Sequence, residues 1–187
     1  MKYCSQCGHT VTWSQPPEED RERYWCSHCG TIHYQNPRII TGTLPVYKDR
    51  ILLCRRAIEP RIGYWTLPAG FMENGETTDA GAIRETREEA MAQVEVQNLY
   101  TLIHLTPINQ VYMFYRAHLP EASFGAGPES LEVALFKEDE IPWDELAFLT
   151  VRRTLQHFFH DRKNGQFPLH VSDITPEDRD HFFTHAP

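Results

Sequence analysis

The sequence has no long hydrophobic run and little positive charge. No apolar stretch reaches the roughly 20 residues that span a bilayer, and the N-terminus MKYCSQCGHT lacks the apolar core of a secretory signal. Acidic residues number 26 against 18 lysines and arginines, which gives a net charge of −8. This balance disfavours binding to nucleic acid or to an anionic membrane surface. We therefore expect a cytoplasmic protein that binds a small molecule; a transit peptide removed from a longer precursor is the alternative.

Cysteine is also scarce, but it is regularly placed. Four of the five cysteines form two CxxC pairs, Cys4 with Cys7 and Cys26 with Cys29. Paired CxxC motifs predict a structural zinc site in a reducing compartment, and a disulfide framework is the alternative. So short a segment cannot stabilise itself by burial alone. We expect residues 1–35 to form a zinc ribbon that depends on its metal.

The strongest functional signal is the segment GFMENGETTDAGAIRETREEAMA, residues 70–92. On a helix, Glu85, Glu88 and Glu89 stand at i, i+3 and i+4, so their carboxylates share one face. Like charges at this spacing destabilise a helix, whereas a hard cation such as Mg²⁺ or Mn²⁺ would favour them. The alternative is a solvated acidic face. The opposite face, formed by Ile83, Thr86 and Ala90, is expected to pack on a sheet.

The order and spacing of six residues in this segment resemble the Nudix box: Gly70, Glu76, Arg84, Glu85, Glu88 and Glu89. The segment departs from the box at Ala69, which replaces the first glycine of a frequent Pro-Gly-Gly, at Thr86, where an aliphatic residue is usual, and at Met91. None of the three is a metal ligand of the box. Because Met91 stands where a terminating glycine is usual, we expect the helix to continue for about one more turn.

The resemblance implies a metal-dependent hydrolase of nucleoside diphosphate derivatives. It implies that four residues bind Mg²⁺ or Mn²⁺: Gly70 through its carbonyl oxygen, Glu85, Glu88 and Glu89. Arg84 is expected to pair with Glu76 and to orient the glutamates, so that both have a structural role. Glu129 and Glu132 follow a glycine-rich loop and are candidates for a further catalytic or metal-binding glutamate. Charges on a loop and a sheet edge are the alternative for these two residues.

The predicted elements fit an α/β fold, and the resemblance implies an α/β/α sandwich with a mixed sheet. Residues 36–160 are expected to form this Nudix domain, and residues 161–187 a polar C-terminal tail. A second helical region is predicted at Ile141–Phe159. Strands are predicted at Ile39–Tyr47, Ile51–Arg56, Tyr64–Pro68, Val94–Thr106, Gln110–Leu119 and Leu131–Phe136.

The zinc ribbon ahead of a Nudix box is similar to the branch of the family that hydrolyses FAD, ADP-ribose or NADH. NADH pyrophosphatases carry a Ser-Gln-Pro-Trp type motif after the box, and here the region reads Leu105-Thr106-Pro107-Ile108-Asn109-Gln110, which weighs against a dedicated NADH enzyme. We predict cleavage to AMP and a second phosphorylated fragment, by a homodimer. The alternative function is a non-catalytic nucleotide sensor whose ribbon binds a partner.

Overall fold

The computed structural model describes residues 1–178, and the chain divides into two units, Met1–Asn36 and a second unit that begins at Pro37. The first unit is a small antiparallel sheet. Its strands are β1 (Thr12–Ser14), β2 (Arg23–Trp25) and β3 (Ile32–His33), with β2 in the centre. Within residues 1–178, no helix is both long enough and apolar enough to cross a membrane.

The second unit is built on one mixed sheet. Its strands are β4 (Arg38–Tyr47), β5 (Arg50–Arg56), β6 (Trp65–Thr66), β7 (Ala69–Phe71), β8 (Glu95–Leu105), β9 (Gln110–His118), β10 (Ser130–Phe136) and β11 (His170–Asp173). The main path runs β10-β5-β4-β9-β8-β11, with β6 paired to β5 and β7 to β4. The β4–β9 and β8–β11 pairs are parallel and the others antiparallel.

Helices α1 (Thr78–Ala90) and α2 (Leu149–Arg162) cover opposite faces of this sheet. Thr43 of β4 bonds to Thr86 of α1, with 2.6 Å between their hydroxyl oxygens. The next residue along the strand, Leu44, lies in a core cluster with Leu155 of α2. Because successive strand residues point to opposite faces, the two helices sandwich the sheet. The predicted α/β/α sandwich with a mixed sheet is therefore confirmed. Three short 3₁₀ turns complete the unit: Thr106–Ile108, Glu138–Glu140 and Trp143–Glu145.

The end of α1 differs from our expectation. The helix does not continue past Ala90; Met91 adopts a left-handed conformation, with φ of 49°. A distant loop explains this, because the amides of Gly125 and Gly127 donate to the carbonyls of Ala90 and Glu89, at 2.8 and 3.0 Å. These bonds satisfy carbonyls that a helix end leaves open. Tertiary contacts thus end the helix where the usual glycine is missing.

Replacing Met91 with Gly should stabilise the protein by about 1 kcal/mol, because a left-handed conformation strains a residue that carries a Cβ. The Met91 side chain is 64 % exposed, so little packing is lost. Urea unfolding would measure the gain. Met91→Ala is the matched control: it removes the same exposed side chain but keeps the Cβ. An equal gain in both variants would contradict this account.

The buried face of α1 also differs in part from our expectation. Thr86 and Ala90 are fully buried as expected, but Ile83 is 38 % exposed. Glu89 takes a buried position instead, at 6 % exposure. One of the three acidic side chains therefore points into the protein, where a carboxylate requires partners.

The segment that we expected as a separate tail contributes to the sheet. Helix α2 extends to Arg162, and β11 then pairs with β8 in parallel, with Val171 opposite Leu102. Ile174, which follows β11, is only 1 % exposed. The free edge of β8 provides unpaired backbone groups for this added strand, and polar composition alone does not indicate such pairing. Residues 179–187 of the expected tail lie outside the described part of the chain.

Candidate active site and zinc site

The glutamates of α1 lie at different depths along one wall of a cavity. Thr77 caps the helix through its side chain, which accepts a hydrogen bond from the Ala80 amide. The side chains of Glu85 and Glu88 are 12 % and 59 % exposed, and Glu89 is buried. The helix therefore presents carboxylates from the solvent inwards.

Arg84 connects these carboxylates. Its Nε and Nη2 donate to the two oxygens of Glu76 at 3.0 and 2.8 Å, a bidentate pair. Its Nη1 donates to Glu85 Oε1 at 2.7 Å and to Glu88 Oε2 at 3.1 Å. Nη2 also reaches the Phe71 carbonyl, at 3.1 Å. The expected pairing with Glu76 is present, and the guanidinium fixes the glutamates with the geometry that suits carboxylates.

Strand β7 supplies main-chain groups beside the glutamates. The Ala69 amide donates to Glu89 Oε2 at 3.1 Å. A Cβ on Gly70 would overlap the carboxylate of Glu85, so the glycine leaves room for that side chain in its present position. Ala69 itself faces Gly42 of β4, whose missing side chain leaves space for the alanine methyl. Ala69 can replace the usual glycine because its backbone makes the contact.

Thr86, the second departure from the box, forms its own buried bonds. Its hydroxyl donates to the Ala82 carbonyl at 2.7 Å and meets the Thr43 hydroxyl at 2.6 Å. Both threonines are fully buried. A polar residue is tolerated at this aliphatic position because strand β4 provides its hydrogen-bond partner.

The titration of these groups follows from their surroundings. Burial raises the pKa of Glu89 to about 8; the Ala69 amide opposes the shift, and the charges of Glu85 and Glu129 add to it. Burial also raises the pKa of Glu85, against the hydrogen bond from Arg84. Arg84 in turn lowers the pKa of Glu76 to about 2. Glu76 thus stays ionised beside its arginine, whereas negative charge on Glu85 and Glu89 is unfavourable without a cation.

Glu129 and Glu132, the two glutamates after the glycine-rich loop, separate in the structure. Glu129 lines the cavity, and its charge acts on both Glu85 and Glu89. Glu132 instead contacts Arg55 on the neighbouring strand, with 3.7 Å between Oε2 and Nη1. The structure therefore brings Glu129 to the box glutamates and leaves Glu132 on the sheet.

The cavity beside the glutamates has a volume of about 970 Å³. Its acidic part contains Gly70, Arg84 and the box glutamates, and its walls elsewhere are largely apolar. Arg56 lines it with a side chain that is only 9 % exposed, and its Nε donates to the Pro60 carbonyl at 2.8 Å. A cavity of this size, with charged groups at one side, can hold a nucleotide-sized ligand.

The donor set at the acidic part fits a divalent cation. Three carboxylates and the adjacent main chain at Gly70 are oxygen donors of the kind that Mg²⁺ and Mn²⁺ prefer. Burial raises the pKa of Glu89 to about 8, so ionising its carboxylate has a cost that a bound cation would offset. In this structure Arg84 bonds to both Glu85 and Glu88.

The four paired cysteines form a second, separate group. Their four sulfur atoms, which can act as metal ligands, all lie within 4.8 Å of one another. The Cys4–Cys29 and Cys7–Cys26 sulfur distances are 3.7 and 3.5 Å. Sulfurs bound tetrahedrally at 2.3 Å from zinc would lie about 3.8 Å apart, whereas a disulfide requires about 2.05 Å. The group therefore fits zinc, and the disulfide alternative is wrong.

Removing zinc from the full chain should unfold residues 1–35 first. We expect hydrogen exchange in the ribbon to become fast after chelation, with the sheet of the second unit still protected, because the metal supplies much of the folding energy of a ribbon. Cys26→Ser should have the same effect and lower the zinc content from about one ion per chain. Cys54→Ala is the control, since Cys54 lies in the core of the second unit. Unchanged ribbon protection in zinc-free protein would contradict this prediction.

A mixed sheet between two helices, with the glutamates of one helix beside a strand glycine, defines a Nudix-type protein. Two family models match the chain, a zinc-ribbon model described as Nudix N-terminal over residues 2–35 and the NUDIX domain over residues 37–178. A Nudix hydrolase from Nitrosomonas europaea has a similar structure, with a TM-score of 0.90, 50 % identity, and coverage of 93 % of this chain and 99 % of that one. The chain belongs to the Nudix hydrolase family, whose enzymes need a divalent metal.

The chain is also similar to NAD-capped RNA hydrolase NudC. The Shigella flexneri protein is 32 % identical over 146 residues, and one from Escherichia coli K12/DH10B is 31 % identical. Each match covers 75 % of this chain but 53 % of the relative, so the chain spans about half the length of these relatives. An ADP-ribose pyrophosphatase from Streptococcus suis shares the fold, with a TM-score of 0.59, 20 % identity, and coverage of 74 % of this chain and 100 % of that one.

Sequence reasoning did not identify the start of α2 as part of the cavity. Phe148, Leu149 and Thr150 all line it, and Gln110 at the start of β9 does so from the sheet. We expected both Phe148 and Leu149 to lie inside one helical region, Ile141–Phe159. The helix starts at Leu149 because Leu146 and Phe148 are extended, and no sequence motif marks this start.

Proposed function

We propose that the chain hydrolyses the diphosphate bond of a nucleoside diphosphate derivative, such as FAD, ADP-ribose or NADH, to AMP and a second phosphorylated fragment. The observation that carries this proposal is the cavity itself, which joins the box glutamates to an apolar chamber of nucleotide size. The glutamates and the Gly70 carbonyl would hold Mg²⁺ or Mn²⁺, which neutralises phosphate charge in such reactions. Arg84 keeps Glu85 and Glu88 in position.

Glu129 is the proposed general base. Its carboxylate accepts a proton from the attacking water as the water oxygen bonds to one phosphorus. The bridging P–O bond then breaks, and the leaving phosphate takes the electron pair. Glu129 is suited to this role because it lines the cavity from a segment other than the box helix. Its backbone is held in place, since the Ala57 amide donates a hydrogen bond to the Glu129 carbonyl at 2.8 Å. Arg56 adds positive charge at the cavity wall.

Glu129→Gln should lower kcat by roughly 10²-fold, the usual contribution of a positioned base. Glu132→Gln should stay within about twofold of the parent enzyme, because Glu132 contacts Arg55 rather than the cavity. Steady-state hydrolysis with both variants measures the difference. The reverse order of effects would assign the base to Glu132, and equal small effects would exclude both.

The substrate is best sought with a panel of diphosphates. FAD, ADP-ribose and NADH would each be incubated with Mg²⁺ or Mn²⁺, and AMP measured by chromatography. An NAD-capped RNA would be incubated in the same way, with nicotinamide mononucleotide as the measured product because its adenosine stays attached to the RNA. The RNA is included because the NudC relatives are named for it. The net charge of −8 makes us expect the small molecules to react faster. Hydrolysis of none of them, with binding retained, would overturn the proposal and favour a nucleotide sensor. A homodimer and a cytoplasmic location stay predictions.

A further inference from the structure

One nearly buried arginine in the cavity wall has no carboxylate paired with it. Arg56, the last residue of β5, lines the cavity and is 9 % exposed. Within residues 1–178 its guanidinium forms no ion pair, and it bonds to two main-chain carbonyls, Pro60 through Nε at 2.8 Å and Glu59 through Nη2 at 3.5 Å. Burying a charge is unfavourable unless an opposite charge accompanies it. The positive charge of Arg56 therefore requires an explanation.

Two other arginines provide a comparison. Arg55, the preceding residue, has a side chain that is 41 % exposed and lies 3.7 Å from Glu132. Arg84, in the same cavity, bonds to three carboxylates of the box helix and its approach loop. Each of these two guanidinium groups has a carboxylate partner within the protein. Arg56 differs from both because its charge is left for a group that the chain does not supply.

The guanidinium of Arg56 is held in place with one edge open. The Phe148 ring lies beside it, with 5.0 Å between Cζ and the ring centroid, and the two carbonyls hold Nε and Nη2. The third nitrogen, Nη1, makes no hydrogen bond with any described residue, and it is not shielded from solvent. The structure thus leaves an accessible hydrogen-bond donor on a residue that borders the cavity.

The charge of Arg56 also extends to the acidic part of the cavity. Burial raises the pKa of Glu89 and of Tyr112, and the positive charge of Arg56 opposes the shift in both. Such effects weaken with distance, so Arg56 lies near both residues although it forms no ion pair with Glu89. An anion in the cavity can therefore contact Arg56 while the glutamates hold a cation.

We propose that Arg56 binds one phosphate group of the substrate through the open edge of its guanidinium. This inference rests on the proposed function and names a protein group that anchors the diphosphate in addition to the cation. A guanidinium suits this role because it is always charged and its donors match the geometry of phosphate oxygens. Its fixed position beside Phe148 means that little side-chain freedom is lost when the ligand binds. Both phosphates of a diphosphate have this chemistry, and the experiment distinguishes them.

The test measures binding of the two product halves by calorimetry, with the full chain and Mg²⁺. The ligands are AMP and nicotinamide mononucleotide, which contain no diphosphate bond, and their phosphate-free forms, adenosine and nicotinamide riboside. Arg56→Met should raise the dissociation constant of at least one nucleotide by roughly ten- to hundredfold, the loss of a hydrogen bond from a charged group. The matching nucleoside should change by less than about twofold, because it has no phosphate for Arg56 to bind.

Three further variants make the test specific. Arg56→Lys should recover part of the lost affinity, since it keeps the charge without the planar donor geometry. Arg56→Gln is a second neutral variant, in case Arg56→Met does not fold once the Pro60 carbonyl loses its donor. Arg55→Met is the matched control, because it removes the same charge from the preceding residue, which contacts Glu132, and it should leave the binding of both nucleotides unchanged.

The nucleotide that responds identifies the phosphate. A weaker affinity for AMP assigns Arg56 to the adenosine half of the substrate, and a weaker affinity for nicotinamide mononucleotide assigns it to the other half. Unchanged binding of both nucleotides would overturn the inference. An equal loss for a nucleotide and its nucleoside would also overturn it, because Arg56 would then only support the cavity wall. Failure of the parent protein to hydrolyse any diphosphate would refute the proposed function instead, and the dissociation constants of the nucleotides would still decide this inference.

Discussion

Replacing Glu89 with Gln is expected to lower kcat by about 10³-fold and to leave the fold intact. The change removes one negative charge from the proposed cation site, and electrostatic contributions of this kind are typically worth two to three orders of magnitude. The fold should persist because Gln has the same shape and its side-chain oxygen can still accept the Ala69 amide hydrogen bond. Steady-state kinetics over a range of Mg²⁺ concentrations, with circular dichroism for folding, would measure both parts.

Two comparisons make this result specific. Glu132→Gln removes the same charge from the face of the sheet and should keep the parental kcat. Glu88→Gln changes the most exposed of the box carboxylates, so its loss should be partly recovered at high Mg²⁺ concentration. A Glu89→Gln enzyme of parental activity would show that the buried carboxylate is structural, and would remove it from the proposed site.

The sequence was most informative where function depends on local spacing. The i, i+3, i+4 spacing of Glu85, Glu88 and Glu89 predicts three carboxylates along one helix, and α1 contains all three. The hairpin around Lys48 was also predictable, because strand patterns flank a short polar turn; Val46 pairs with Ile51 there. The CxxC spacing likewise indicated which four thiols converge. The glutamate spacing, the hairpin and each single CxxC pair are determined within a few residues of chain.

Features that depend on distant segments were not predictable in this way. The end of α1 at Ala90 requires amides from a loop more than thirty positions later, at Gly125 and Gly127. The burial of Glu89 depends on an amide of β7, and the exposure of Ile83 follows from the same orientation of the helix. The edge strand β11 lacks the apolar pattern that would predict a strand, and its position depends on pairing with the free edge of β8. In each case a backbone contact across the fold outweighs the local side-chain pattern.

The glycine-rich loop thus holds both the helix end and Glu129, and Gly127→Ala is expected to disrupt them together. A Cβ at this position would lie 1.7 Å from the carbonyl oxygen of Glu88, which is backbone that cannot move aside without distorting α1. We expect a loss of about 2–3 kcal/mol in the free energy of unfolding, in the upper range for overpacking a buried contact. Displacing the loop should also move Glu129 from the cavity and lower kcat by at least about tenfold.

Gly125→Ala is the matched control for this prediction, because it lies two residues earlier in the same loop and also bonds to the helix end through its amide. There an added Cβ would meet only the Met91 sulfur at 3.5 Å, an ordinary contact. Urea unfolding and steady-state kinetics on both variants should therefore show a large effect for Gly127→Ala and a change below about 0.5 kcal/mol for Gly125→Ala. Because the two glycines share the loop but not the close approach to Glu88, equal effects would mean that loop flexibility, rather than its docking on α1, matters for Glu129. Normal activity in a destabilised Gly127→Ala protein would separate the loop from the chemistry and argue against Glu129 as the base.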